Sequence, residues 1–282
     1  MIFKKTEAHT RAGGTLNLLI CGAQRSGTTS LVHYLEEHPE IGFLNDADLR
    51  LGNAYIGYPF ASPVIAHSII GEDPKTYQAI AARLVREKKT IIAAKQPYFM
   101  VFPHVPFNVR EHLPDVKLIF ILRNPIDAAY SAYRNGLGKG RREGSFEDNL
   151  RMDEAEAKEI SHHENRSRWY GYFKNPENVP LLVDRGFYYQ QIIRFYRCFK
   201  EEQILVLRFD QLVGNTAETM QRILKFLGLD PQFRFTRIGT VMNASPNVAP
   251  MSPKTRTRLQ EIYSESNRKL FAFLGWPASL WE

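Results

Sequence analysis

Hydrophobic and polar positions come in blocks along this chain, and the blocks predict strands and helices in turn. Short apolar runs occupy residues 16–21 (LNLLIC), 90–94 (TIIAA), 116–122 (VKLIFIL) and 204–208 (ILVLR). Each is five to seven residues of nearly continuous hydrophobicity, the pattern of a strand buried on both faces. Between them the period changes. Leu31, Tyr34 and Leu35 fall at i, i+3 and i+4 and predict a helix over 30–37, stopped by His38-Pro39. A second helix is expected over 126–135, behind Pro125, and a third over 216–227, closed by Gly228 as its C-cap. The last begins at Ser252-Pro253, with proline in the first turn, and runs to 274. Buried strands alternating with helices predict an α/β fold: a central parallel sheet flanked by helices.

No repeat or low-complexity tract divides the chain, so residues 1–282 are read as one domain. Residues 136–180 are polar, charged and rich in His and Asn, and are expected to form an excursion over the active site. The 282 residues are 44% hydrophobic, enough for a sizeable core. Lys and Arg outnumber Asp and Glu by 37 to 30, a net charge of +7 that suits an anionic partner. Cys21 and Cys198 make no disulfide framework. Residues 1–14 lack an apolar signal core, and no run approaches the roughly 18 apolar residues of a membrane span. A cytoplasmic protein is the expectation.

In an open parallel sheet, ligands bind beyond the carboxyl ends of the strands. Three motifs stand at such ends: Arg25–Thr29, Lys95, and Arg123–Ser131. The first lies in Gly22–Thr29 (GAQRSGTT), a P-loop-like turn between strand and helix whose backbone N–H groups would cradle an anion. Thr28 stands where the ATP/GTP loop carries its lysine, and the nearby cation is Arg25. No strand-terminal Asp is placed to hold Mg²⁺. The loop therefore suits a phosphate or sulfate better than a triphosphate.

Those residues resemble the sulfotransferases that use 3′-phosphoadenosine-5′-phosphosulfate (PAPS), in particular the bacterial, heparan-type and tyrosyl-protein branch. CGAQRSGTTSL at 21–31 is similar to the family's loop for the 5′-phosphosulfate. LRNPIDAAYSAY at 122–133 resembles its second signature, which implies that Arg123 and Ser131 grip the 3′-phosphate. AKQPYF at 94–99 resembles a stretch whose lysine, here Lys95, lies close to the sulfuryl group and acceptor. Weaker similarities follow at 145–147, 186–196, 206–212 (VLRFDQL) and 251–275. The resemblance implies the sulfotransferase fold, PAPS as donor, the desulfated nucleotide PAP as product, and no metal. Arg25, Ser26, Gly27, Thr28, Thr29, Ser30, Arg123 and Ser131 would hold the donor, and Arg25 and Lys95 would act on the transferred group. The family usually carries a Glu about 22 residues after the loop cation as catalytic base. Here the stretch is Asn45-Asp46-Ala47-Asp48-Leu49, so Asp46, then Asp48, are the candidate bases. His33, His67 and His104 are a third option.

The expected reaction moves a sulfuryl group to a hydroxyl or nitrogen of a small-molecule acceptor by in-line displacement. Aromatics in 49–70, 97–109 and 136–180, among them Tyr98, Phe99, Phe102 and Phe107, are expected around the acceptor. They favour a natural product, a guanidinium alkaloid of saxitoxin type being one case, over a carbohydrate, a lipid or a peptide tyrosine. Rival readings are a P-loop kinase, a non-catalytic nucleotide-binding protein, and a polyanion-binding module. The chain carries no recognised nucleic-acid motif, and its oligomeric state is open.

Overall fold

The computed structural model describes residues 16–44, 81–103, 105–152, 182–239 and 249–281. Its centre is β1 (Leu18–Gly22), buried at all five positions, as a continuous apolar run requires. A tight loop leads into α1 (Thr28–Leu35). Then come β2 (Ile41–Phe43), β3 (Ile91–Lys95), α2 (Val105–His112) and β4 (Lys117–Leu122). α3 (Pro125–Gly138) leaves β4 after two residues. A single 3-10 turn (Asp184–Gly186) precedes α4 (Tyr188–Tyr196). The last elements are β5 (Ile204–Arg208), α5 (Phe209–Gly214), α6 (Thr216–Leu227) and α7 (Pro253–Leu274).

Among the described residues the five strands are all parallel, in the order β2-β3-β1-β4-β5. β1 pairs with β3 through Leu18 opposite Ala93, and with β4 through Ile20 opposite Ile119. The chain fills one side of β1 with β2 and β3 and then crosses to β4, so the topology reverses at the carboxyl end of β1. That crevice is where an open parallel sheet accepts a ligand.

Alternate strand residues enter opposite layers, as the two-residue period of a strand dictates. Leu19, Cys21, Phe120 and Leu122 pack beneath α4 and α7, against Tyr188, Ile192, Phe195 and Phe271. Leu18, Ile20, Ile119 and Leu205 pack beneath α1 and α6, against Leu31, Leu35, Met220 and Ile223. A third cluster joins α3 to α7 through Ile126, Tyr133, Leu259 and Tyr263. Phe146 and Leu150, the first part of the expected excursion, are buried in this third cluster, and Tyr133 donates its hydroxyl hydrogen bond to the Gly144 carbonyl at 2.7 Å. Residues 153–180 of that excursion lie outside the described residues.

β5 and α6 occupy the positions expected from the sequence, and Gly228 closes α6 at φ +80°. α1 starts two residues earlier than its apolar period, because Gly27 ends the loop in the left-handed region at φ +81°. Helices α2 and α5 and strand β2 are elements the apolar pattern does not reveal.

Candidate functional site

The site is assembled from the loop after β1, the end of β3 and the β4–α3 junction. Two glycines let the loop fit its surroundings. A Cβ on Gly22 would lie 2.1 Å from the Met100 sulfur. One on Gly27 would meet the Phe209 ring at 3.1 Å, so the start of α5 presses directly on the loop. Arg25 itself has φ +65°, a conformation that residues with side chains rarely adopt. From there its guanidinium reaches α3, where Nε donates to Ser131 Oγ at 3.1 Å and a terminal nitrogen to Asn135 Oδ1 at 3.3 Å. Ser131 and Asn135 are one helical turn apart and share a face.

α1 begins with no side-chain cap and no acidic residue in its first turn. The N–H groups of Thr28, Thr29 and Ser30 therefore have no intrahelical acceptor and sit at the positive end of the helix dipole. Lys95, at the end of β3, donates to Thr29 Oγ1 at 3.2 Å. Ser26 is fully buried, and its hydroxyl has no hydrogen-bond partner among the described residues.

Arg123, at the end of β4, donates to the Arg25 carbonyl at 3.3 Å, and its guanidinium carbon lies 4.8 Å from the Phe209 ring centre. Asn124 turns the chain into α3 by accepting from the Ile126 N–H at 3.0 Å, and Pro125 fills the first turn. Burial first, then the charge of Arg123, pulls the pKa of Arg25 below the ordinary guanidinium value. Burial does the same to Arg123, with Asp127 and Tyr188 acting in the opposite sense. Two half-buried cations, open N–H groups and a lysine make a place where an anion replaces lost hydration.

Beside the loop lies a small cleft bounded by Ala23, Gln24, Pro97, Met100, Ala129 and Arg185, among others. Its polar corner is a small chain of contacts. Gln24 donates to the Tyr98 hydroxyl at 2.6 Å, and Arg185 lies 5.3 Å from the Tyr98 ring centre. Burial pushes the carboxyl of Asp184, the preceding residue, above its usual range.

The structure brings Arg25, Ser26, Gly27, Thr28, Thr29, Ser30, Lys95, Arg123 and Ser131 to one end of the sheet. The guanidinium found on Ser131 is that of Arg25, while Arg123 reaches the Arg25 carbonyl. Asp46 and Asp48, the expected bases, lie outside the described residues, as do His67 and His104. His33 sits in the last turn of α1, five residues and roughly 7.5 Å of helix rise beyond Thr28. Among the aromatics expected around an acceptor, Phe99 and Phe102 are core residues, and Phe107 is 61% exposed on α2. Tyr98 is buried in the same core cluster, with its hydroxyl on the Gln24 amide that borders the cleft. Asn135, Gln24, Tyr188 and Phe209 are site residues that the motifs did not single out. Asn135 was reachable, since a helix period carried on from Ser131 lands on it. Among the described residues, no group of three His, Cys, Asp or Glu side chains could hold a metal ion. None of their helices is long and apolar enough to cross a membrane.

A parallel sheet with a lysine-free anion loop at its topological switch point defines an α/β protein built for a phosphate- or sulfate-bearing ligand. Residues 16–245 match the family model described as a sulfotransferase domain, and the chain belongs to that family. Human carbohydrate sulfotransferase 15 is 25% identical over 326 aligned positions, covering 97% of this chain and 56% of that protein. Human heparan sulfate glucosamine 3-O-sulfotransferase 6 is 23% identical, covering 91% of this chain and 71% of its own length. The chain thus spans about half the length of the human carbohydrate enzyme, and the match to its mouse counterpart covers 32% of that protein. A sulfotransferase structure from Alicyclobacillus acidocaldarius superposes with a TM-score of 0.69 at 22% identity, covering 95% of this chain and 99% of the other. That likeness establishes the fold.

Proposed function

We propose that this protein transfers the sulfuryl group of PAPS to a hydroxyl or nitrogen of an acceptor, releasing PAP. The observation that carries the reading is the convergence of Arg25, Arg123 and Ser131 beside the uncapped start of α1, within a chain of the sulfotransferase family. The donor supplies a sulfuryl group on a phosphate leaving group. The chain's part is to align the partners and to neutralise charge as the sulfur–oxygen bond to the phosphate breaks and the bond to the acceptor forms. The N–H groups of Thr28, Thr29 and Ser30, with the hydroxyls of Thr28 and Thr29, face the 5′-phosphate. Lys95, held on Thr29, takes the side of the group in transit. Arg123 and Ser131 hold the 3′-phosphate. The electron pair of the breaking bond stays with the phosphate. The proton of a hydroxyl acceptor passes to a carboxylate, for which Asp46 and then Asp48 remain the choices.

For the acceptor we favour a small natural product, the guanidinium alkaloid being one case, with residues 136–180 covering the site. The names of the carbohydrate and heparan sulfate relatives support a second reading, a sugar hydroxyl or amine. Cys21 and Cys198 are both free thiols, which supports a reducing compartment such as the cytoplasm.

Calorimetric titration with PAP, ADP and 5′-AMP tests the donor assignment. PAP should bind far more tightly than the other two. Arg123→Ala should remove roughly 10- to 100-fold of that affinity, the worth of a charge-assisted hydrogen bond. Equal binding of PAP and 5′-AMP by the unmodified protein would end the sulfotransferase reading.

A further inference from the structure

The cleft beside the anion loop is apolar on most sides. Pro97 and Met100 of the turn after β3 form one wall, and Ala128, Ala129 and Ala132, on one face of α3, form another. Among the described residues that bound it, Arg185 carries the one charge. The cleft also adjoins the residues assigned to the transfer, since Ala23 and Gln24 precede Arg25 and Pro97 follows Lys95 by two positions.

Arg185 is half-buried and stands on a turn that its neighbours fix. A Cβ on Gly186 would lie 2.6 Å from the Tyr263 ring and 2.7 Å from Pro125, so the turn is pressed against α7 and the start of α3. The Tyr263 hydroxyl donates to the Val183 carbonyl at 2.8 Å and holds the turn from its other side. The guanidinium carbon of Arg185 lies 5.3 Å from the Tyr98 ring centre, and the Tyr98 hydroxyl accepts from Gln24 at 2.6 Å. Gln24 Oε1 is buried and has no hydrogen-bond partner among the described residues. A buried amide oxygen left so is costly, and a ligand that donates to it removes the cost.

Mostly apolar walls with a few placed polar groups are the make-up of a small-molecule site. A guanidinium stays charged at any physiological pH, and its fork of donors matches a carboxylate. Low-dielectric walls strengthen its attraction for an anion and its repulsion of a cation alike.

We propose that this cleft is a subsite for the acceptor and that Arg185 is a specificity-determining residue in it, selecting an apolar small molecule that carries a carboxylate. The proposal rests on the sulfotransferase reading given above and narrows its acceptor. A cationic alkaloid would meet Arg185 with like charge, and a long polar glycan would not match walls of alanine and proline.

The test uses three phenols that share a ring and a hydroxyl and differ in the charge of one end. These are para-hydroxyphenylpropionate, its primary amide, and tyramine. Each is titrated calorimetrically into PAP-loaded protein, unmodified and as Arg185→Gln and Arg185→Lys. The unmodified protein should bind the acid about tenfold more tightly than the amide, the order expected for one charge-assisted contact, and tyramine most weakly. Arg185→Gln should bring acid and amide to parity, and Arg185→Lys, which keeps the charge without the fork, should restore part of the difference. PAP affinity should be the same in all three proteins. A purely structural role would weaken the three phenols together, or weaken PAP, and leave their order unmoved; that result overturns the proposal. An acid preference that survives in Arg185→Gln places the selecting charge elsewhere. Binding of none of the three to PAP-loaded protein removes the cleft as an acceptor subsite. Failure of PAP itself to bind the unmodified protein is a separate result, and fells the donor reading on which the proposal rests.

Discussion

His38 lies three residues beyond α1 and is 3% exposed, with its ring centre 4.5 Å from that of Phe233. Its Nδ1 accepts a hydrogen bond from the Glu40 N–H at 3.2 Å, which only an unprotonated Nδ1 can do. Burial lowers its pKa below the ordinary value of 6.5, as does Lys89, while Glu40 and Asp230 pull it partly back. A proton bound more tightly by the unfolded chain than by the folded one destabilises the fold on acidification. The stability tied to His38 is therefore complete above about pH 6.5 and is lost as pH falls through the lower folded value. Urea unfolding at about pH 7.5 and about pH 5.5 should show this fall in the unmodified protein. The fall should be smaller in His38→Asn, whose side-chain oxygen can take the same bond without titrating. Parallel losses in the two proteins would place the acid sensitivity elsewhere.

Among elements, the turn after β3 depends on a helix far along the chain. Arg194 of α4 donates to the carbonyls of Met100 and Val101 at 3.3 and 3.2 Å, and burial lowers its pKa. This turn carries Tyr98, and Met100 packs on Gly22, so α4 indirectly supports the anion loop. Arg194→Met removes the charge and leaves two carbonyls without that donor, a cost of roughly 1–3 kcal/mol. We expect a lower urea midpoint together with weaker PAP binding. A variant that loses stability but keeps full nucleotide affinity would separate the turn from the loop. Nothing local in the sequence announces this contact, because its partners are 93 and 94 residues apart. Local pattern was sufficient where the packing is local in kind. β5 and α6 declare themselves through an unbroken apolar run and a clean helical period. β2 is three residues long with glycine at its centre, where a Cβ would lie 2.6 Å from Leu84, and no periodicity reports such an approach. α5 follows β5 without a loop and is too short to establish a period. The anion loop was legible because its chemistry is compressed into eight consecutive residues. Ser131 was legible as a site residue, but its bond to Arg25 spans 106 residues and depends on how α3 settles against the loop.

At the scale of the molecule, the same charges that serve a ligand work against the fold without one. The chain carries a net +7, and Arg25 and Arg123 stand together at the end of the sheet. Salt screens such repulsion, with a Debye length near 10 Å at about 0.1 M, though it screens half-buried charges less than exposed ones. The melting temperature of the unliganded protein should therefore rise as sodium chloride increases from roughly 0.05 to 0.5 M. PAP should also stabilise the protein, by an increment that falls as salt rises. A ligand bound only by the folded state adds about 2.7 kcal/mol at a hundredfold excess over its Kd, and that increment shrinks as salt weakens binding. Melting curves with and without PAP should thus converge at high salt, from a wide separation at low salt. Arg123→Ala should begin with a higher unliganded melting temperature at low salt than its lost hydrogen bond alone would allow, and should gain little from PAP. Salt-independent melting of the unliganded protein would mean that the arginines are already neutralised within the fold, leaving no electrostatic driving force for a highly charged nucleotide.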